Sequence, residues 1–298
     1  MIRTITALSV AIAGLTLIAA GATFLWPQAA NTPITFTTLH GEPVALYGAG
    51  LYRYETAFAG AGSTGTDIIL LAVVVPLLLL MTWGFGRGSS RAGLLLFGVM
   101  AFVLYVYAHR GLSNAYNELF LLYVALFSAS LFAFILLFVW AYAHAAVFTD
   151  VSAGMQRSLG LFMFVCGLLT SYVWLEPLVT AGLAGVPPRL LDSYTTMVTD
   201  ALDLGVIVPS TFLSGVLLLR GRLLGYIIAL PLLVMLVLLG PTIALQTVLQ
   251  LRAGVTFTPA EIVGPIAGFL VVGVIAVWFL WVLLRTVRPD DQIIRPAA

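Results

Sequence analysis

Residues 67–85 read DIILLAVVVPLLLLMTWGF and carry a charged side chain only at Asp67, the first position. An α-helix rises about 1.5 Å per residue, so a run of this length spans most of the roughly 30 Å hydrocarbon core of a bilayer. Similar apolar runs recur along the chain, and we predict an all-α, polytopic membrane helix bundle of eight transmembrane helices. The predicted helices are Thr4–Trp26, Asp67–Phe85, Ala92–His109, Glu118–Ala143, Leu159–Leu178, Asp203–Leu219, Leu223–Leu249 and Glu261–Leu284.

The composition of the 298 residues agrees with this interpretation. Hydrophobic residues make up 61% and charged residues 8%, whereas soluble domains carry about 25% charge. A soluble enzyme, a disordered regulator and a nucleic-acid-binding protein are therefore excluded, and the lipid bilayer is the expected partner. We treat residues 1–298 as a single integral membrane domain, although the first helix also has features of a signal peptide.

Residue types that are absent or rare exclude further classes of function. The 13 basic residues are all Arg, so no Lys is available for a retinal Schiff base or a phosphate-binding P-loop. Cys166 is the only cysteine, which excludes an intramolecular disulfide and a dithiol redox pair. The three histidines are not spaced for haem or zinc, and we expect no cofactor and no metal.

Charge placement predicts the orientation of the helices. Arginines concentrate in the segments at one end of the predicted bundle, and this bias places both termini in the cytoplasm. This end carries Arg3, Arg87, Arg91, Arg157, Arg220, Arg222, Arg285, Arg288 and Arg295, and the other carries Arg53, Arg110, Arg189 and Arg252. Most carboxylates lie at the second, extracytoplasmic end. They either solvate the loops there or surround an outward-facing site.

Two long extracytoplasmic loops are predicted, at residues 27–66 and 179–202, and we expect both to be ordered. The first is rich in aromatic residues and is expected to contain a short helix at Leu46–Phe58, followed by a flexible segment at residues 60–66. Thr66 or Asp67 would then cap the second helix. Glycines on the first and last helices, such as Gly14 and Gly21, suit close helix packing.

The order of landmarks suggests an internal duplication of residues 1–150 and 151–298. In each half an acid at the outer start of a helix, Asp67 or Asp203, precedes a proline, and an Arg-Gly turn follows. Four helices per half would give a parallel 4+4 repeat, as in some transporters. Any eight-helix membrane protein shows some of these features, so chance similarity is the alternative explanation.

Asp67 and Asp203 are the main candidate site residues. As helix starts they would either cap free backbone N–H groups or form a pair of carboxylates that binds a cation or an amine. Pro76 and Pro209 would interrupt the helices and free carbonyl groups near that pair.

Other candidates lie at the same end of the bundle. Arg53 would pair with Glu55 or Glu176 and hold the first loop as a lid. Tyr105 and His109 are four residues apart and share a helix face. The remaining candidates are Tyr54 and Tyr194 in the outer loops and Tyr116 and Asn117 at a hairpin tip. All of these residue types also occur at membrane interfaces without a ligand.

Three runs, residues 46–56, 116–126 and 203–209, resemble a group of bacterial multi-spanning membrane proteins with no assigned activity. The runs read LYGAGLYRYET, YNELFLLYVAL and DLGVIVP. The resemblance implies a bacterial inner-membrane setting and adds no site residue.

We therefore expect a protein that binds or passes a small cation or amine at an outward-facing cavity lined by carboxylates and tyrosines. Two alternatives stay open. One is an intramembrane enzyme acting on a lipid or quinone at the outer leaflet, with Asp67, Asp203, His109 and Glu176 as acid–base groups. The other is an accessory membrane subunit with no site of its own, whose outer cap binds a partner; a membrane-protein partner or a homo-oligomer is possible in either case.

Overall fold

The computed structural model describes residues 1–27, 34–262 and 266–287. Its helix content is 78%, with almost no sheet, which confirms the all-α class. Within the described residues, eight helices are long and apolar enough to cross a membrane, so the chain is a multi-pass membrane protein. They are α1 (Ile2–Leu25), α2 (Ala57–Gly86), α3 (Ser90–Ser113), α4 (Phe120–Ala143), α5 (Ala153–Ala184), α6 (Val198–Leu219), α7 (Leu224–Arg252) and α8 (Ala267–Thr286).

The second helix begins ten residues earlier than the sequence predicted. The Thr56 hydroxyl accepts a hydrogen bond from the backbone N–H of Ala59 at 3.2 Å and caps α2, as serine and threonine do at helix N-termini. Residues 60–66 are therefore helical and not a flexible linker. Asp67 is the eleventh residue of α2, so its predicted role as an N-cap is wrong.

The sixth helix also begins before the residue expected to start it. It begins at Val198, so Asp203 lies inside α6 and does not cap it. The preceding helix, α5, continues through Pro177 to Ala184. The second outer loop therefore shrinks from residues 179–202 to the segment between α5 and α6.

Both α2 and α6 contain one turn of π-helix directly before a Val-Pro pair. In α2 the turn covers Leu70–Val74, and in α6 it covers Asp203–Ile207. The N–H of the valine that follows bonds to the carbonyl five residues earlier, Leu70 or Asp203. Proline lacks an N–H and crowds the preceding turn, and the π turn accommodates it. Such turns are frequent at functional sites.

The described part of the first outer loop is a pair of hairpins. Strands β1 (Thr35–Thr37) and β2 (Pro43–Ala45) pair antiparallel. Residues 46–56 then form a closed loop, in which the Tyr47 N–H bonds to the Glu55 carbonyl at 2.7 Å. The short helix expected at Leu46–Phe58 is therefore absent, apart from the first turn of α2.

Helices α3 and α7 form the centre of the bundle. They have 78% and 61% of their most apolar segments buried, compared with 28% for α4 and α8. A Cβ at Gly98 on α3 would lie 2.4 Å from Val234 on α7, so this glycine permits the close approach of the two helices. No atom lies within 4 Å of a Cβ built on Gly14 or Gly21, so the predicted packing role of these glycines is wrong.

Candidate functional site

Asp67 forms a buried ion pair with Arg110 of α3. An Asp67 carboxylate oxygen lies 2.7 Å from Arg110 Nη2, and the two side chains are 0% and 3% exposed. The other oxygen accepts hydrogen bonds from Thr23 at 2.6 Å and from the Tyr52 hydroxyl at 2.7 Å. This carboxylate therefore has a full positive partner and two neutral donors inside the protein.

Aromatic rings surround the Arg110 guanidinium. Its Cζ lies 5.7 Å from the ring centres of Tyr52 and Tyr123 and 5.8 Å from that of Tyr107. Rings at such distances attract a cation through their negative faces. Arg110 Nη2 also donates to the Ser63 carbonyl at 3.3 Å. Together these contacts hold a cation in a site made of one carboxylate and three tyrosines.

Asp203 has a different environment. One of its carboxylate oxygens accepts a hydrogen bond from Tyr105 at 2.8 Å, and the other accepts one from the Trp174 indole at 2.7 Å. Both donors are neutral, and Asp203 is 8% exposed. The side chain is fixed in direction, but no arginine of the described residues forms an ion pair with it.

A small cavity of about 30 Å³ adjoins Asp203 and Tyr105. Its wall is otherwise mainly apolar and comes from α5, α6, α7 and α8, and Asp67 does not line it. The other wall residues are Cys166, Thr170, Ile207, Thr211, Leu232, Met235, Leu236, Leu239 and Phe269. Asp67 and Asp203 were expected to line one cavity, but only Asp203 lines this one.

Asp200 adds a second carboxylate beside Asp203. It lies three residues earlier in α6, a spacing that puts both residues on one helix face. Asp200 is 3% exposed, and its Oδ2 has no hydrogen-bond partner among the described residues. The Asp200 charge also acts on both Asp203 and Tyr105. The outer part of α6 thus concentrates negative charge without a positive partner.

Glu55 joins the outer loops outside the membrane-spanning helices. One carboxylate oxygen accepts a hydrogen bond from the Ala115 N–H at 3.0 Å, and the other accepts one from the Tyr194 hydroxyl. The first loop is thereby attached to the α3–α4 hairpin and to the α5–α6 loop. Burial raises the pKa of Glu55 to about 7, against the lowering effect of its hydrogen bonds.

Arg53 pairs with a residue that the sequence analysis did not select. Its Nη2 lies 2.5 Å from Glu118 Oε1, and its guanidinium lies 4.6 Å from the Tyr54 ring centre. Pairing of Arg53 with Glu55 or Glu176 is therefore wrong. The hydrogen bond from Arg53 lowers the pKa of Glu118. Because this pair is partly exposed, its contribution to stability is small.

The other predicted site residues lie away from the cavity wall. Glu176 is exposed and accepts a hydrogen bond from Thr180 at 3.4 Å. Tyr116 is 76% exposed, and the Asn117 side chain accepts the N–H of Leu119 at 3.0 Å. His109 is half-buried beside Arg110. Of the predicted residues, the structure brings Tyr105 and Asp203 together at the cavity.

The sequence analysis missed Arg110, Tyr52, Trp174 and Asp200 as parts of these clusters. The contacts of the first three join segments far apart in the chain, and no local spacing indicates them. Asp200 did have a signal. Thr66-Asp67 and Thr199-Asp200 each stand at the same distance before a Val-Pro pair.

The fold and the buried charges define an integral membrane protein with two polar clusters near one end of its helices. No protein-family profile, curated protein sequence or solved structure matches the chain. The function must therefore be argued from the geometry of the two clusters.

Proposed function

We propose that this protein binds a small cation or amine at Asp203 and passes it across, or senses it at, the membrane. The observation that carries the proposal is the contrast between the two carboxylate clusters. Asp67 is neutralised by Arg110, whereas Asp203 and Asp200 have no ion-pair partner among the described residues. A buried carboxylate without a counter-charge is costly, and a bound cation would remove that cost.

The neighbours of Asp203 suit such a site. Tyr105 and Trp174 donate to its two oxygens and fix their direction without neutralising the charge. The adjoining cavity, at about 30 Å³, has room for about two or three water-sized groups. Apolar walls strengthen the electrostatic attraction by excluding water. The size favours a small ion over a bulky amine.

The other predicted residues have a supporting part in this proposal. Glu55, Tyr194 and the Arg53–Glu118 pair hold the outer loops together, and Tyr52 connects the first loop to Asp67. The loops would thus form an ordered cap over the end of the bundle that carries the carboxylates. Arg53, with Tyr54 beside it, would fasten this cap at its partly exposed edge.

The proposal includes an orientation. Arginines cluster at the end opposite to Asp203, and Arg87 and Arg285 lie over the rings of Trp83 and Trp281 there, at 4.0 and 3.6 Å. An excess of arginine is typical of the cytoplasmic end of the helices, and tryptophan is typical of either membrane interface. We therefore place the termini in the cytoplasm of an inner membrane and the Asp203 site toward the outside.

Thermal unfolding of the purified protein in detergent tests the proposal. A ligand that binds the folded state raises the unfolding midpoint. We expect at least one of sodium, potassium, methylammonium and guanidinium, each as its chloride at equal ionic strength, to raise the midpoint of the wild type. The rise should persist in Glu176→Gln, an exposed carboxylate variant, and vanish in Asp203→Asn. A wild type that responds to none of the four salts, or an Asp203→Asn variant that responds fully, would refute the proposal.

A further inference from the structure

The outer end of the bundle contains another pocket, much larger than the cavity beside Asp203. Its volume is about 180 Å³, compared with about 30 Å³ for that cavity. The last turn of α1, the closed loop at residues 46–56 and the first part of α2 form its wall. The described residues that line it are Thr23, Phe24, Tyr47, Ala49, Gly50, Leu51, Tyr52 and Thr64. None of these side chains carries a charge, so this pocket differs in chemistry from the Asp203 site.

Three hydroxyl groups of this wall already donate their protons inside the protein. The hydroxyls of Thr23 and Tyr52 both donate to the Asp67 carboxylate, at 2.6 and 2.7 Å. The Thr64 hydroxyl donates to the Gly60 carbonyl of its own helix at 2.9 Å. A hydroxyl has one proton to donate and two lone pairs that accept. Toward a molecule in the pocket these three groups therefore act as acceptors.

The loop part of the wall supplies backbone groups that have no partner among the described residues. The N–H groups of Ala49 and Leu51 donate no hydrogen bond to a described residue, although Leu51 is only 2% exposed. The loop turns sharply at Gly48 and Gly50, with φ of 74° and 62°, a conformation that favours glycine. Buried backbone groups nearly always have a partner. These N–H groups are thus donors available to a ligand in the pocket.

We infer that this outer pocket binds a neutral polyol, either a free monosaccharide or the sugar headgroup of a glycolipid. A sugar hydroxyl both donates and accepts, so it matches a wall of acceptor hydroxyls and donor N–H groups. An ion that enters an uncharged pocket loses its hydration without a counter-charge, which is costly. The nearest ion pair, Asp67 with Arg110, is neutral as a whole. The inference is independent of the cation site at Asp203.

The aromatic residues and the volume agree with a sugar ring. Phe24, Tyr47 and Tyr52 add apolar ring surface to the wall, as is usual in small-molecule pockets. At about 10–15 Å³ for each water-sized group, the pocket holds about twelve such groups or more, which is the size of a hexose. Phe24 is 51% exposed at the end of a membrane-spanning helix. The pocket is therefore within reach of a lipid headgroup as well as of a free sugar.

Hydrogen exchange of the full chain in lipid nanodiscs tests the inference, with no sugar-based detergent present. The free probes are glucose, galactose, mannose and myo-inositol, and the lipid-borne probe is glucosyl diacylglycerol in the nanodisc. A ligand stabilises the segment that it binds. At about ten times its Kd, at least one probe should slow exchange in residues 46–56 of the wild type by up to about tenfold. Protection by the glucosyl lipid alone would identify a headgroup as the ligand, and protection by a free probe would identify a soluble polyol.

Two variants test the location of the ligand. Ala49→Leu places a larger side chain on the pocket wall and should abolish the protection. Thr64→Val removes one acceptor and should weaken binding several-fold. The control is Ala253→Leu, a change at an exposed alanine at the same end of the bundle, and it should bind as the wild type does. Asp203→Asn should also keep the protection, because Asp203 does not line this pocket.

Charged analogues of the sugar test its class. Glucosamine, a cation, and glucuronate, an anion, should protect residues 46–56 more weakly than the neutral probe that binds best. The inference is wrong if no neutral probe protects the wild type, or if a charged analogue protects it as strongly. Full protection of a folded Ala49→Leu variant would also overturn the inference. The wild-type results with neutral and charged probes decide the question even where a variant does not fold.

Discussion

A single ion pair, Asp67 with Arg110, gives the sharpest prediction at the scale of residues. Asp67→Asn would leave the Arg110 charge buried without a partner, and breaking such a pair costs about 3–5 kcal/mol. We therefore expect Asp67→Asn to lower the free energy of unfolding strongly, measured by denaturant titration in detergent micelles. Any loss of function in Asp67→Asn should therefore follow from the lower stability of the fold and not from a missing contact to a ligand.

A double variant distinguishes the effect of losing the Asp67 carboxylate from the effect of leaving the Arg110 charge buried without a partner. Asp67→Leu combined with Arg110→Met removes both charges, and replacing a buried pair by apolar residues is often tolerated. We expect this protein to be more stable than Asp67→Asn. If Asp67→Asn were as stable as the wild type, the structural role of the pair would be disproved.

The sequence located Asp67 and Asp203 but neither Asp200 nor the partners of these carboxylates. Asp67 and Asp203 were selected because each stands at the predicted outer start of a helix. Their roles differ because Arg110 lies beside one and only neutral donors lie beside the other. Arg110 and Asp67 are on different helices, so the packing of α2 against α3 decides the contact. A single sequence contains no local pattern that encodes it.

At the scale of elements, Glu55 makes the tether of the outer loops sensitive to pH. Burial raises its pKa from the ordinary value of 4.5 to about 7. The folded state therefore holds a proton that the released loop would give up, and the tether weakens as pH rises from about 4.5 through about 7. We expect backbone hydrogen exchange in residues 46–56, corrected for its intrinsic rate, to be faster at about pH 8 than at about pH 5.

Glu55→Gln is the matched variant for this experiment. Glutamine keeps a carbonyl oxygen for the Ala115 N–H but does not titrate, so the difference between the two pH values should disappear. A wild-type segment whose corrected exchange is the same at both pH values would contradict the tether.

At the start of α2 the local amino-acid composition predicted the wrong secondary structure. Residues 60–65, GAGSTG, are typical of a flexible linker. In the structure they are helical because their small side chains let α7 approach. A Cβ on Gly65 would lie 3.0 Å from the backbone of Gln246. Gln246 also donates to Thr66 at 2.8 Å, and Gln250 donates to the Phe58 carbonyl at 3.1 Å. Packing between distant helices overrides the local preference here.

At the scale of the whole molecule, hydropathy alone predicted the number of spans and the helical class. Each span is a continuous apolar run, and a lipid environment forces such a run to satisfy its backbone internally as a helix. The likeness of α2 and α6 required the structure, because the π turns at 70–74 and 203–207 have no signal in hydropathy. The sequence landmarks had paired Asp67 with Asp203, because each stood at the predicted outer start of a helix that contains a proline.

The contrast between the two carboxylate clusters leads to a count. One cluster is filled by Arg110 and the other is open, so the molecule should hold one external cation. Equilibrium dialysis of the purified protein against the radiolabelled form of whichever of the four cations raises its unfolding midpoint measures this number directly. We predict one bound ion per wild-type chain and none per Asp203→Asn chain that retains its cooperative unfolding. No saturable binding to the wild type, or equal binding to both proteins, would contradict the cation site at Asp203.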